Sequence, residues 1–437
     1  MVPFDDAPLS ALHWRLAVAS TAGVFADGYG LGIIGIALSI AAPQLQLSPF
    51  WIGLIGGASL AGLFAGALLI GPICDQFGRR PIFACNMLLA GALSLLQFLA
   101  HSGAQLLIMR LLIGFLLGTD YVVSKALLTE LSPRRLRGRM LATLSIAWAG
   151  GYACAYAVGF ALTSHGADAW RWMLLTSAAP CLLIAPLRLL MPESPLWLVN
   201  HGHAERARQI VRQHLGPGVS APSVSPVAAT RRGRWRQLLS KRWRVRTLVA
   251  CVFFTCQVIP YFAVGTFVAQ LMSALHLQGG YLGGLIYNAS LLLGAAAGLL
   301  IVDRIPRRRF LIGSFTAAAS TMLLLSVWSN MASVPMIALF ALFAGVLSAA
   351  SNLVYVYLPE LFPTDLRASG LGMAIAASRI GSAISTFLLP IIVAAYGVRT
   401  ALSACVVVLA FGAFVCGRWA PETRFVGLGA LDVENAA

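Results

Sequence analysis

GPICDQFGRRP, residues 71–81, sets Asp75 one helical turn ahead of the basic pair Arg79 and Arg80. DRIPRRR, residues 303–309, repeats the pattern as Asp303 with Arg307 and Arg308, at an offset of 228. Working outward, Glu130, Pro133 and Arg137 recur as Glu360, Pro363 and Arg367 at an offset of 230, and Pro192-Glu193 recurs as Pro421-Glu422 at 229. One such match is within the reach of chance. Three at one period imply two homologous halves.

What fills each half follows from composition. Of 437 residues, 59% are apolar and 11% charged, against roughly a quarter charged in an average soluble domain. A soluble globular fold is thereby excluded. The apolar residues fall in runs of about 20, the length of a helix that crosses a hydrocarbon core of about 30 Å. Spans are predicted near 13–41, 51–73, 82–100, 104–126, 140–163, 170–191, 246–273, 281–302, 310–329, 335–357, 368–394 and 399–419. The twelve divide six and six around the polar stretch 192–245. The fold expected is therefore an all-α membrane protein of two pseudo-symmetric six-helix bundles, residues 1–191 and 246–437, joined by a linker. In the linker, Ala204 to His214 has the pattern of a basic amphipathic helix on the inner surface, and Gly216 to Thr230 is a flexible Pro/Ser segment.

A net charge of +16, from 31 Lys+Arg and 15 Asp+Glu, would point a soluble chain toward nucleic acid. Here it encodes orientation. With the N-terminus inside, 25 of the 31 basic residues fall on the inner side, while only Arg171 and Arg399 fall outside, which places both termini in the cytoplasm. The partner of this charge is the lipid bilayer, not nucleic acid. Asp5 and Asp6 stand where a basic n-region would be, so no cleavable signal peptide is expected. The eight cysteines lie in or beside apolar segments without a CxxC pair and read as small buried residues. His201, His203 and His214 match no metal-ligand spacing. With no phosphate-binding loop and no catalytic triad motif, the reading is neither an enzyme nor an ATP-driven pump, and needs no cofactor or metal.

The glycines and charges of residues 71–81, Gly71, Asp75, Gly78, Arg79 and Arg80, resemble the GxxxDxxGRR loop signature of the major facilitator superfamily, and DRIPRRR resembles its degraded second copy. PESPLWL (192–198), PELFPTDLR (359–367) and PETR (421–424) resemble the sugar porter branch and its relatives, the metabolite:proton and aromatic acid:proton symporters. Residues 110–139, 25–35 and 256–267 look more like bacterial metabolite transporters than glucose-type facilitators, whose pair of glutamines in the seventh span is reduced here to Gln257. Relatives often carry a second acid in the first span, as DGYD or DGFD. This chain has Asp27 and then Gly30. The resemblance implies alternating access, with Asp75, Arg79, Arg80, Glu130, Arg137, Asp303, Arg307, Glu360 and Arg367 as a cytoplasmic gate that parts when the site opens inward. For Arg79, Arg80 and Arg307 to Arg309, attraction to anionic lipid is a second role.

Ionisable residues deep in a span are costly and mark function by default. Asp27 and Asp120 are the two such acids. At a rise of about 1.5 Å per residue, Asp27 lies roughly 21 Å from the inner end of the first span and Arg110 roughly 9 Å from the outer end of the fourth, which puts them on one level. A pairing is expected, in which Asp27 takes up a proton and Arg110 senses its charge; the alternative is a static ion pair. Asp120 reads as a second proton site or as a structural partner of Lys125 or a first-span polar group. Arg379, near the midplane of the eleventh span with no acid at matching depth in its half, calls for an anionic partner, which favours a carboxylate-bearing substrate over a neutral sugar. Tyr29, Trp148, Tyr152, Gln257, Tyr261, Asn288 and Asn352 are pocket candidates, with Pro260 expected to break the seventh span between Gln257 and Tyr261. Gly114 and Gly118, four apart, allow close helix approach.

These observations point to a monomeric secondary transporter in the bacterial inner membrane that imports a small organic acid with protons. A sugar or polyol carrier is the alternative; a drug efflux antiporter and a transporter-like nutrient receptor fit less well.

Overall fold

The computed structural model describes residues 2–222, 237–275, 280–302, 304–328, 331–362 and 364–423. Among them, twelve helical stretches are long and apolar enough to cross a membrane. The spans are α1 (Ala11–Gln44), α2 (Pro49–Phe77), α3 (Arg80–Leu96), α4 (Gly103–Leu131) and α5 (Arg134–Leu162). The sixth is the consecutive pair α6 (Ala169–Thr176) and α7 (Ala178–Leu189), broken at Ser177. After the linker come α10 (Arg244–Thr266), α12 (Gly280–Ile301), α13 (Arg307–Val327), α14 (Ser333–Glu360), α15 (Thr364–Tyr396) and α16 (Val398–Trp419). Two linker helices, α8 (Pro195–Asn200) and α9 (Ala204–Leu215), and the short α11 (Val268–Ala274) complete the described set. The predicted spans match these stretches to within a few residues because each is closed by charge, proline or glycine that a hydrocarbon core will not take.

Two expectations change in detail. The seventh span runs unbroken through Pro260 and breaks at Phe267, where φ of −108° and ψ of 23° leave the helix. A proline ring can sit in a membrane helix when neighbours satisfy the freed carbonyl. The second concerns α9. Its apolar face is turned to the chain itself: Ala207 packs with Leu198 and Val199, and Val211 packs with Ala7 and Val219. The start of the linker also pairs with the N-terminus, where Val2 N–H donates to Gly218 O at 2.8 Å and Ser220 N–H to Val2 O at 3.0 Å.

The chain divides into two compact units. One comprises residues 1–33, 61–155 and 171–230; the other comprises 34–60, 156–170 and 231–437. Within the first, Gly118 of α4 lies against the Leu63 carbonyl of α2, so close that a Cβ would collide with it, as its spacing from Gly114 predicts. Within the second, the far ends of α1 and α2 pack on α11 and α15: Gln270 Nε2 donates to Gly35 O at 3.1 Å, and Phe50 meets Phe387 edge to face at 5.5 Å.

Candidate proton-coupling and substrate site

The centre of the first unit is Arg188, near the end of α7. Its Nη1 donates to Asp120 Oδ1 and its Nη2 to Asp120 Oδ2 at 3.0 Å, a bidentate pair with both side chains wholly buried. Nη2 also reaches Ser124 Oγ at 3.3 Å, and Nε and Nη2 donate to the Ala19 carbonyl at 3.3 and 3.2 Å. The guanidinium carbon stands 4.1 Å from the centre of the Phe83 ring. One cation thus ties together α1, α3, α4 and α7. Gly23 makes the approach possible: a Cβ there would collide with Nη2 and stand 3.1 Å from Asp120 Oδ2.

Asp27 lies one turn beyond Gly23 on the same face of α1. Its carboxyl group lies beside the Asp120 carboxyl, and Arg188 and Lys125 are the cations near it. No N–H or hydroxyl among the described residues donates to either of its oxygens, although the residue is only 4% exposed. Two carboxylates both accept, so the contact between Asp27 and Asp120 becomes a bond only when one of them carries a proton. Ser124 Oγ gives Asp120 a further donor at 3.0 Å. Lys125, offered above as a partner of Asp120, instead lies 3.4 Å over the Tyr121 ring.

The expected pairing of Asp27 with Arg110 is not formed. Arg110 is wholly buried and its Nη1 donates to Gly30 O at 2.8 Å, at the position where relatives often carry their second acid. Arg110 reaches α1 within about one turn of Asp27, so their levels agree; its Nη1 goes to the Gly30 carbonyl, while the Asp27 carboxyl lies beside that of Asp120. Tyr29 Oη donates to Thr176 Oγ1 at 2.8 Å, and Trp148 and Tyr152 stack with ring centres 5.3 Å apart.

In the second unit, Arg379 of α15 is buried between the rings of Phe254 and Phe262 of α10, 5.9 and 5.7 Å from its guanidinium carbon. Tyr261 packs edge to face on Phe262 at 5.4 Å. The three amides turn to backbone: Gln257 Nε2 donates to Leu347 O at 3.2 Å, Asn288 Nδ2 to Gly284 O at 2.8 Å, and Asn352 Nδ2 to Ala295 O at 3.0 Å.

The repeated motifs at the basic ends of the helices build the same cradle twice. In the first unit, Glu193 Oε1 accepts from Arg79 N–H at 3.0 Å, and Oε2 from Arg80 N–H at 3.1 Å, so a carboxylate caps the start of α3. Arg79 Nη2 pairs with Glu130 Oε1 at 3.2 Å, and Ser194 Oγ donates to Glu130 Oε2. In the second unit, Glu422 accepts from Arg307 N–H at 2.9 Å and Arg308 N–H at 3.0 Å, Arg307 Nε stands 3.6 Å from Glu360 Oε2, and Thr423 Oγ1 donates to that same oxygen. Gly78, with φ of +96° and the Glu193 carboxylate standing where a Cβ would go, supplies the turn into α3. Arg137 Nη2 donates to Ser132 O at 3.1 Å, and Gly71 lies in α2 with open space around it. Asp303 and the side chains of Asp75 and Arg367 lie outside the described residues. Glu193, Ser194, Glu422 and Thr423 were not among the expected gate residues. The shared offset of the Pro-Glu pairs was the signal that could have found them.

A family model described as sugar (and other) transporter matches residues 16–434. The chain belongs to that family. It is similar to the inner membrane metabolite transport protein YgcS of Escherichia coli, 41% identical over 98% of this chain and 95% of that one. It is also similar, at 26% identity over 88% of this chain and 86% of that one, to the 4-hydroxybenzoate transporter PcaK of Acinetobacter baylyi. In fold it matches the xylose transporter XylE from E. coli in a partially occluded inward open conformation. The TM-score is 0.78 at 18% identity, over 94% of this chain and 100% of that one. The protein is therefore a multi-pass membrane transporter of the major facilitator superfamily, sugar porter-like, and not an enzyme.

Proposed function

We propose that this transporter imports a small organic acid together with protons by alternating access. The observation that carries the coupling is the Asp27 carboxyl, buried without a donor beside the Asp120–Arg188 pair. One proton shared by the two carboxyl groups leaves the cluster of two acids and one arginine neutral; a second negative charge there would be buried without compensation. Proton release from Asp27 therefore demands rearrangement, by entry of water or movement of α1 against α4 and α7. Arg110 of α4 is anchored on the Gly30 carbonyl of α1, one turn along from Asp27.

The substrate class rests on Arg379. Its cation is held between two aromatic faces at a depth where a carboxylate could bind it bidentately and a ring could stack beside it. PcaK, by its name, carries an aromatic carboxylate. The sugar and polyol reading is weaker because Gln257, Asn288 and Asn352 already spend donors on backbone carbonyls. Tyr29, Trp148, Tyr152 and Tyr261 complete the set of candidate wall residues. The moving bodies in this reading are the two repeats, residues 1–191 and 246–437, linked by 192–245, in a monomer of the bacterial inner membrane with the basic face cytoplasmic. In each repeat the cradle of Arg79, Glu130 and Glu193, or of Arg307, Glu360 and Glu422, holds the helix ends together as one piece while the gate opens.

Uptake of labelled 4-hydroxybenzoate and a panel of other carboxylates into proteoliposomes, with and without an imposed proton gradient, tests the reading. The gradient should drive accumulation in the wild type, and Asp27→Asn should equilibrate substrate without accumulating it. Arg379→Gln should weaken acid binding at least tenfold, the loss of a charge-assisted contact. Accumulation intact in Asp27→Asn, or affinity unchanged in Arg379→Gln, would refute the corresponding half.

A further inference from the structure

A cavity of about 410 Å³ opens in the first unit where the basic ends of α2, α3 and α7 meet α8 and α9. That volume is in the range of about 300–1,000 Å³ of sites that hold small molecules. Arg80, His203 and Arg206 line it together with Trp197, Phe77 and Leu189. The three cationic or titratable side chains are exposed, and no hydrogen bond or ion pair joins any of them to the rest of the protein among the described residues. Glu193, the acid in the wall, is committed to the N–H groups of Arg79, Arg80 and Ser194.

The repeat supplies an internal control. Arg308, the counterpart of Arg80, donates to the Gly417 carbonyl, so the second half uses the equivalent guanidinium for itself. Arg80 is left to face the cavity.

We infer that this cavity is a discrete binding site for the phosphate headgroup of an anionic phospholipid in the leaflet at the basic face. Two guanidinium forks and an imidazole suit a phosphate ester. The exposed apolar part of the lining argues for a lipid over a soluble phosphate. Phe77 and Leu189 are 64% and 45% exposed at the ends of spans, continuous with the surface that acyl chains cover, and Trp197 is the residue type that favours the headgroup level. A bound headgroup bridges α3 to α9 and clamps the linker helix to the bundle.

Native mass spectrometry of the full-length, delipidated protein with added phosphatidylglycerol tests the site. Arg206→Gln should lower retention of one lipid about tenfold, the loss of one charge-assisted contact. Arg208→Gln, two residues along the same helix, removes the same charge from a side chain that is not in the cavity wall and pairs with Glu205 at 3.1 Å; it should retain lipid as the wild type does. Equal loss in both variants would reduce the effect to diffuse surface charge and overturn the site. Displacement of the lipid by an equal concentration of glycerol 3-phosphate would show a soluble ligand instead and overturn the lipid. Melting temperature in detergent, unchanged in both variants, separates binding from folding.

Discussion

Arg188→Met deletes the one cation that four helices share. In the folded protein it removes both bonds to Asp120, both to the Ala19 carbonyl and one to Ser124 Oγ, and leaves two carboxyl groups facing each other. Breaking a buried pair from one side costs about 3–5 kcal/mol, because the surviving charge has neither water nor partner. Asp120→Asn breaks it from the other side and should cost a similar amount. The double variant carries neither charge, and Met fills the guanidinium's volume against Phe83, so it should recover about 2 kcal/mol relative to the sum of the single costs. Equilibrium unfolding of the four purified proteins in mixed micelles gives the cycle directly. If the single costs add to within about 0.5 kcal/mol, Asp120 and Arg188 are not coupled and the cluster is a packing feature alone. Transport adds a second reading: the double variant should fold and bind substrate yet fail to accumulate it on a proton gradient, since Asp27 has lost the acid with which it shares the proton.

Three further outcomes can be checked separately. Gly78→Ala forces a Cβ into a left-handed turn with Glu193 against it, and should cost about 1–2 kcal/mol by unfolding. Glu193→Gln, which keeps the shape but weakens the cap on α3, should cost less, about 1 kcal/mol. At the linker, burial, and after it the charge of Arg15, hold the His214 imidazole below its ordinary value of 6.5. The folded state therefore binds fewer protons there than the unfolded chain. The contribution is complete above pH 6.5 and is lost as pH falls below it. Protection factors in α9, which correct for the intrinsic slowing of exchange in acid, should fall on acidification through that window, and His214→Gln should remove the dependence.

The spans were legible because a hydrocarbon core tolerates so few sequences, and the duplication because three motifs kept their spacing. The site was legible only as a set of residue types. Asp27 and Asp120 stood out as buried acids, but which cation they met depended on which faces of α1, α4 and α7 turn together, and no periodicity within one span records that. Arg188 lay near the end of its span, where arginines commonly reach for water, so its burial had no signature. The cradle shows the opposite case. Its glutamates were visible in the repeat, yet their chemistry lies in backbone N–H groups, which every residue has and no motif displays.

Those two cradles bear on how such a chain arises and how it can be divided. Glu193 and Glu422 close their repeats from just beyond the last span of each, so the unit that was copied ended after its own lock. Each copy carries the means to fasten the start of its third helix without borrowing from the other. Fragments cut inside the linker, between α9 and α10, should on this account assemble a working carrier when made as two polypeptides, whereas a cut before Glu193 would leave the first fragment unlatched.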